Sequence, residues 1–373
     1  MDMDFTQNYK DWLSLTLAKG IGSSICNQLL LEFNNPQTIL TSDSKTLNRF
    51  GLKEASVQSL LNPDEEEINK TLDWLNKPYH HLVTILDDDY PVLLKSIHSA
   101  PPVLYAIGQR EALGYLHFAI VGSRNPTTGG KRLAEEFAAE LSKAGFTVCS
   151  GLALGIDYHS HFGALKANCS TVAVLGNGLN SIYPARHKKI ASQIIEDGLL
   201  ISEYPPDTKP NPGNFPQRNR IISGMSTGVL VVEAAKKSGS LITANYALEQ
   251  GRDVFALPGS LHNPLARGTH SLIKQGAKLV ETANDIIEEL APIASIVLNK
   301  AVSASIGSGQ EEYDNLEADY KLLLDSMGYD IVSVDNLVKL SGLTAEVVSS
   351  MLLILELKGM VESQQGGQYC RCS

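Results

Sequence analysis

Residues Phe215 to Gly259 read FPQRNRIISGMSTGVLVVEAAKKSGSLITANYALEQGRDVFALPG. Val229 to Val232 are a continuous β-branched and Leu run, the pattern of a strand covered on both faces. Glu233 closes that strand, and Asp253 to Leu257 supply another, stopped by Pro258 and Gly259. Between them Ser238, Gly239 and Ser240 offer backbone N–H groups and hydroxyls just before a helical pattern beginning near Thr243. That is the geometry in which a helix N-terminus receives a phosphate. Phe215, Pro216, Arg218, Asn219 and Arg220 read as a loop carrying two cations, an amide and an aromatic ring. The stretch is either an ordinary strand, loop, helix and strand with solvated arginines, or one side of an anion site. The density of Arg218, Asn219, Arg220, Lys237, Ser238 and Ser240 near the carboxyl ends of parallel strands favours the second.

Upstream the alternation repeats. Phe118 to Val121 runs into Gly122-Ser123-Arg124, Thr147 to Cys149 into Ser150-Gly151-Leu152-Ala153-Leu154-Gly155, and Thr171 to Leu175 into Gly176-Asn177-Gly178. Leu199 to Ser202 precedes a proline-rich connection from Tyr204 to Pro216. Val83 to Leu86 and Val103 to Ile107, separated by the breakers Tyr90-Pro91 and Pro101-Pro102, form the entry. The expectation is an α/β fold, an extended Rossmann-like, doubly wound and mostly parallel sheet over residues 81 to 290. Three strands ending in glycine and small hydroxyl residues let backbone approach a phosphate, because no Cβ blocks it. With Arg124 in the first loop, they point to an anionic ligand.

GNG at 176 to 178 is not a full GxGxxG, and no acidic residue follows at ribose-binding distance, so no dinucleotide cofactor is expected. Asp157, His159 and His161 are either acid–base groups or hydrogen-bonding structural residues; no nucleophile with a fixed base stands beside them, which favours the structural role. His80, His81 and His98 lack partners at ligand spacing. Cys26, Cys149 and Cys169 read as buried free thiols, and Cys370 with Cys372 is a lone CxC without a second pair, so no metal site is expected.

Hydrophobic content of 43% and charged content of 19% are those of a soluble globular chain. No apolar run suggests a membrane span, and MDMDFTQNYKDW lacks a basic and apolar leader, so a cytoplasmic protein is expected. The net charge of −10 argues against a broad nucleic-acid footprint. Residues 1 to 80 and 316 to 373 each carry −4 while 81 to 290 are neutral, so any such surface is a local pocket in the middle segment.

Residues 1 to 80 read as a small helical domain. Its Gly20-Ile21-Gly22 resembles a helix-hairpin-helix turn that holds a DNA phosphate, or else simply ends one helix and starts another. Residues 291 to 315 read as a linker. Residues 316 to 373 carry three amphipathic helical patterns and two short strands, a winged helix. Its presumed recognition helix, Thr344 to Lys358, holds Glu346, Glu356 and one lysine, which favours an accessory or partner-binding role over reading DNA.

The blocks FPQRNRIISG, VVEAAKKSGSLITA and GRDVFALPG resemble the signature of the DNA processing protein A family (DprA, also called Smf). The resemblance runs from Trp12 to the C-terminal wing and is strongest between Val121 and Ala277. It implies an N-terminal domain of sterile-alpha-motif type, a homodimer, and a non-catalytic protein that binds and protects single-stranded DNA and loads the RecA recombinase during natural transformation. Under it Ser123, Arg124, Gly151, Arg218, Asn219, Lys237, Ser238, Ser240 and Thr243 hold backbone phosphates, while Phe215 stacks a base or else plugs the core beside Pro216. His187 and His270 stand where many members have asparagine, which leaves their contacts open. The alternative is a nucleotide-processing enzyme similar to phosphoribohydrolases, with Glu233 near the place of their catalytic glutamate but without the PGGxGTxxE cradle.

Overall fold

The computed structural model describes residues 3–290, 318–327, 332–344, 347–348, 351–352, 355, 361–364 and 368–371. The chain divides into two compact units, Met1–Ala301 and Val302–Ser373.

The first unit opens with α1 (Met3–Thr16), α2 (Ser23–Phe33), α3 (Pro36–Leu40), α4 (Ser44–Asn48), α5 (Glu54–Leu61) and α6 (Glu65–Leu75). Asn35, Asp43 and Asp64 each accept a bond from the backbone N–H three residues on, which satisfies an amide the helix start would leave unpaired. At the GIG turn Gly20 has φ +80°, and a Cβ there would meet Ser56 Oγ at 2.4 Å, so the turn is seated against α5. Trp12, Leu13 and Leu29 belong to the same buried core as Leu82, Leu104 and Tyr105. Trp74 sets its edge against Tyr105 at 6.0 Å, and Asn27 donates to the Ala100 carbonyl at 2.9 Å. Apolar burial therefore joins residues 1 to 80 to the sheet; the break placed at residue 80 does not separate two compact units.

The sheet contains β1 (His80–Thr84), β2 (Val103–Gly108), β3 (Leu116–Val121), β4 (Phe146–Ser150), β5 (Thr171–Val174), β6 (Leu199–Ser202), β7 (Ser226–Val231), β8 (Asp253–Ala256) and β9 (Lys278–Leu279). Its order is β1-β2-β6-β5-β4-β3-β7-β8-β9. From β6 to β9 all neighbours are parallel, and the β1 and β2 edge is antiparallel. The intervening helices are α7 (Val92–Lys95), α8 (Thr128–Lys143), α9 (Ile156–Lys166), α10 (Lys188–Asp197), α11 (Asn214–Met225), α12 (Ser240–Glu249) and α13 (Arg267–Lys274). This is the Rossmann-like, doubly wound architecture expected, and the two-residue β9 is the strand that sequence periodicity did not reveal.

Period-two alternation distributes the strands between two cores. Phe118, Ile120, Leu230 and Phe255 face one side with Phe137 and Leu141 of α8, while Ala119, Val121, Val229 and Val254 face the other with Ile221 and Ile222 of α11. Each fully buried Phe or Leu is worth roughly 1.5–3 kcal/mol against exposure, which fixes the register of the loops at the strand ends.

Phe215 to Arg220 is not a loop but the first half of α11. Pro216 lies in the first turn, where its missing N–H has no intrahelical acceptor to serve, and Ile221, Ile222 and Met225 repeat at helical spacing into the core. The start of α12 also precedes the expected Thr243, at Ser240.

In the second unit, helices Ala318–Met327 and Val334–Ser341 accompany β10 (Val332–Ser333), β11 (Val361–Gln364) and β12 (Gln368–Arg371). The strands form an antiparallel sheet ordered β10-β12-β11. Gly342, at φ +71°, ends the second helix in the left-handed cap that glycine favours. Leu323, Leu337, Val348, Leu352, Leu355 and Val361 form its core, and β11 with β12 is the wing. Val347 is 41% exposed. Glu346, Glu356 and Lys358, which give the recognition helix its charge, lie outside the described residues, as does the linker 291 to 315.

Candidate nucleic-acid interface

Chain order reverses direction at the border of β3 and β7. From β3 the chain steps through β4, β5 and β6 to one side, then crosses to β7, β8 and β9 on the other. Open α/β sheets bind ligands at this border, outside the carboxyl ends of the strands. A cavity of about 580 Å³ lies there. It brings together the loop after β3, the start of α11 and the start of α12, and every candidate residue except Gly151 and Lys237 lines it.

Its two arginines differ. Arg124 is exposed, and no side-chain bond or ion pair holds it among the described residues. Arg218 is 4% exposed. Its Nη1 donates to the carbonyls of Gly151, at 2.7 Å, and Val174, and its Nε donates to Asn219 Oδ1 at 3.2 Å. A Cβ on Gly151 would meet that guanidinium at 2.5 Å. A side chain at position 151 is therefore excluded by the Arg218 guanidinium, which occupies the space above it. Its own N–H is given to Asp157 Oδ2 at 3.1 Å.

Asp157 also accepts from Ala153 N–H at 3.3 Å. Burial pushes its carboxyl above the usual range while the Arg218 charge opposes that rise. The same burial pulls Arg218 below its ordinary value, opposed by Asp157. Together they tie the ends of β4 and β5 to α11, and among the described residues lining the cavity Arg124 is the cation without a protein partner.

The remaining candidates follow from the local chain. Ser123 N–H donates to the Glu233 carbonyl at 2.6 Å, which sets the β3 loop against the end of β7. Asn219 Nδ2 reaches the Gly239 carbonyl at 3.5 Å and links α11 to the start of α12. The Ser238 and Ser240 hydroxyls lie 2.7 Å apart at that helix start, and Thr243 is buried one turn on. Lys237 is exposed but off the cavity. The Phe215 ring covers Gly176, where a Cβ would meet a ring carbon at 2.8 Å. Tyr183, 51% exposed, lies 5.6 Å from that ring and also lines the cavity. Sequence reasoning missed Tyr183, although its place in SIYPARHKK after a glycine loop was a usable signal.

The other polar candidates take structural places. His161 is fully buried with Nδ1 2.8 Å from Thr171 Oγ1, and burial pushes it down to about 3. His159 Nδ1 meets Glu135 at 2.6 Å. His187 Nδ1 bonds the Leu152 carbonyl at 2.9 Å and holds that residue, which has φ +53°. His270 Nε2 meets the Gly259 carbonyl at 3.0 Å. Arg220 pairs with the partly buried Glu203 at 2.5 Å and does not line the cavity. Glu233 accepts from Thr127 N–H at 2.8 Å and Thr127 Oγ1 at 2.7 Å, so both carboxylate oxygens are engaged in fixing the turn before α8.

The family model for DNA recombination-mediator protein A matches residues 81–291. That for the DprA winged helix domain matches 310–367. Protein Smf of Escherichia coli (strain K12) is 42% identical over 326 residues, 87% of this chain and 86% of that one. The X-ray structure of DNA processing protein A from Streptococcus pneumoniae is similar at TM-score 0.68 and 34% identity, covering 78% of this chain and 99% of that chain. A structure of DNA processing protein A from Helicobacter pylori, described for its unique single-stranded DNA binding mode, gives TM-score 0.52 and 31% identity over 57% of this chain and 96% of that one. A family model over more than half of the chain, a relative matched over most of both chains and a solved structure thus agree with the cavity-bearing Rossmann-like sheet and the winged helix: the chain belongs to the DNA recombination-mediator protein A (DprA/Smf) family.

Proposed function

We propose that this chain binds single-stranded DNA at the β3 and β7 border, protects it, and delivers it to the RecA recombinase in natural transformation, without catalysing a reaction. The observation that carries the proposal is one cavity holding the unpaired Arg124, the start of α12 and the Phe215 and Tyr183 rings. An exposed guanidinium and helix amides suit a phosphate, and rings at the rim suit an unstacked base, whereas nothing there enters a major groove. The Helicobacter pylori relative, described for its single-stranded DNA binding mode, supports the ligand class. Delivery to RecA and a homodimer rest on the family resemblance.

The nucleotide-processing reading is not favoured, because both oxygens of Glu233, the carboxylate near the place of the catalytic glutamate, are engaged with Thr127. Fluorescence anisotropy with labelled single strands, duplex and mononucleotides tests the proposal directly. Tight binding of single strands alone, with an affinity that falls as salt rises, is expected. Equal binding of duplex, or release of base from mononucleotides, overturns it. RecA assembly on strands already coated with the protein tests delivery, and no acceleration there removes that part.

A further inference from the structure

Beside the first cavity lies a second, of about 500 Å³, lined by Arg124, Lys131, Tyr158 and Arg186 among others. The two share Arg124 and Asn125. We infer that this second cavity is a further phosphate subsite, into which a single strand passes from the first by way of Arg124. The inference rests on the proposed function and extends it from one pocket to a track.

Charge carries the inference. Arg124, Lys131 and Arg186 are exposed, come from three separate elements, and make no ion pair among the described residues. The chain as a whole has 41 acidic against 31 basic residues, so a cavity with three unanswered cations departs from its surroundings. No carboxylate lines it among the described residues, and Glu135 is turned to the lining His159 at 2.6 Å. Like charges facing one space are held there at a cost that an anion between them removes.

The cavity is also built rigidly. Gly155 has φ +80°, and a Cβ there would meet the Ser123 carbonyl oxygen at 2.3 Å, so the loops after β3 and β4 lock together at the junction of the two cavities. His187, bonded to the Leu152 carbonyl, packs its ring 4.9 Å from that of Tyr158. Tyr158 in turn stacks on Phe162, with centroids 6.2 Å apart and planes at 8°. An aromatic wall with cations around it fits a strand whose phosphates are bound and whose bases are tolerated in any order.

The test uses the full chain and a Lys131→Ala, Arg186→Ala double variant, with single strands of about 4 to about 16 nucleotides. Both side chains are exposed, so the fold is retained and circular dichroism verifies it. The shortest strands, which fill one cavity, should bind parent and variant alike. Longer strands should bind the variant tenfold or more weakly, with a log–log salt slope lower by about 1.4, or about 0.7 for each lost phosphate contact. A variant that follows the parent at every length, or loses affinity equally at every length, overturns the second subsite. Arg124→Ala serves as the control, with losses at all lengths. If the parent binds no single strand of any length, the proposed function fails and this inference fails with it.

Discussion

Arg124 and Arg218 line the same cavity and do opposite things. Arg124 stands exposed on the loop after β3 without a protein partner among the described residues; Arg218 is buried in α11 and gives its hydrogens to Gly151, Val174 and Asn219. A guanidinium that satisfies carbonyls on two strand ends is part of the scaffold, because removing it leaves those buried acceptors without a donor. A guanidinium in water has lost little hydration and can turn to a ligand. Presence in a cavity is thus a poor guide to role, and the polar partners already made are a better one.

The largest effect is expected at Arg218. Replacing it with Ala should cost roughly 1 to 3 kcal/mol of stability for each buried carbonyl it leaves without a donor, those of Gly151 and Val174. Urea unfolding measures this, and a loss under about 1 kcal/mol would show that Arg218 does not hold the strand ends together. Arg218→Lys should recover only part, as a point charge cannot reproduce bonds made in two directions.

At Arg124 the pattern should invert. Arg124→Ala should leave the unfolding midpoint nearly unchanged and weaken single-strand binding by about 1.5 to 3 kcal/mol, with the salt slope lower by about 0.7. Phe215→Ala should remove roughly 1 to 3 kcal/mol of stacking with the slope untouched. Equal slopes in the two variants would mean that Arg124 meets no phosphate.

The interior that holds Arg218 also holds His161, which allows a pH test. Burial pushes His161 down to about 3 from 6.5, so between those values the unfolded chain binds a proton that the folded chain refuses. Its contribution to stability is whole above pH 6.5 and is lost as pH falls toward 3, by at most about 1.4 kcal/mol per unit. His161→Gln should flatten that part of the stability profile; an unchanged slope would assign it to other groups.

The smallest effect concerns the second unit. Removing residues 316 to 373, which carry −4, should change single-strand affinity by less than tenfold, or about 1.4 kcal/mol. A larger loss would place a DNA contact on the winged helix.

Sequence alone determined eight of the sheet's nine strands, its mostly parallel character and the glycine-ended loops, because β-branched runs and breakers are local signals that burial on both faces then reinforces. The family signature was legible for the same reason, as unbroken blocks of residues. Where α11 begins was not: Pro, Gln, Arg and Asn read as loop, and only the packing of Ile221, Ile222 and Met225 against the sheet draws Phe215 to Arg220 into the helix. Tertiary structure also decided what the glycines and arginines are for. The space above Gly151 is filled by a guanidinium 67 residues away, and Tyr183 reaches Phe215 across another gap in the chain. No local pattern encodes such meetings, since they depend on which strand ends the fold brings to one edge. The partition into buried Arg218 and open Arg124 is a property of that edge, not of either residue.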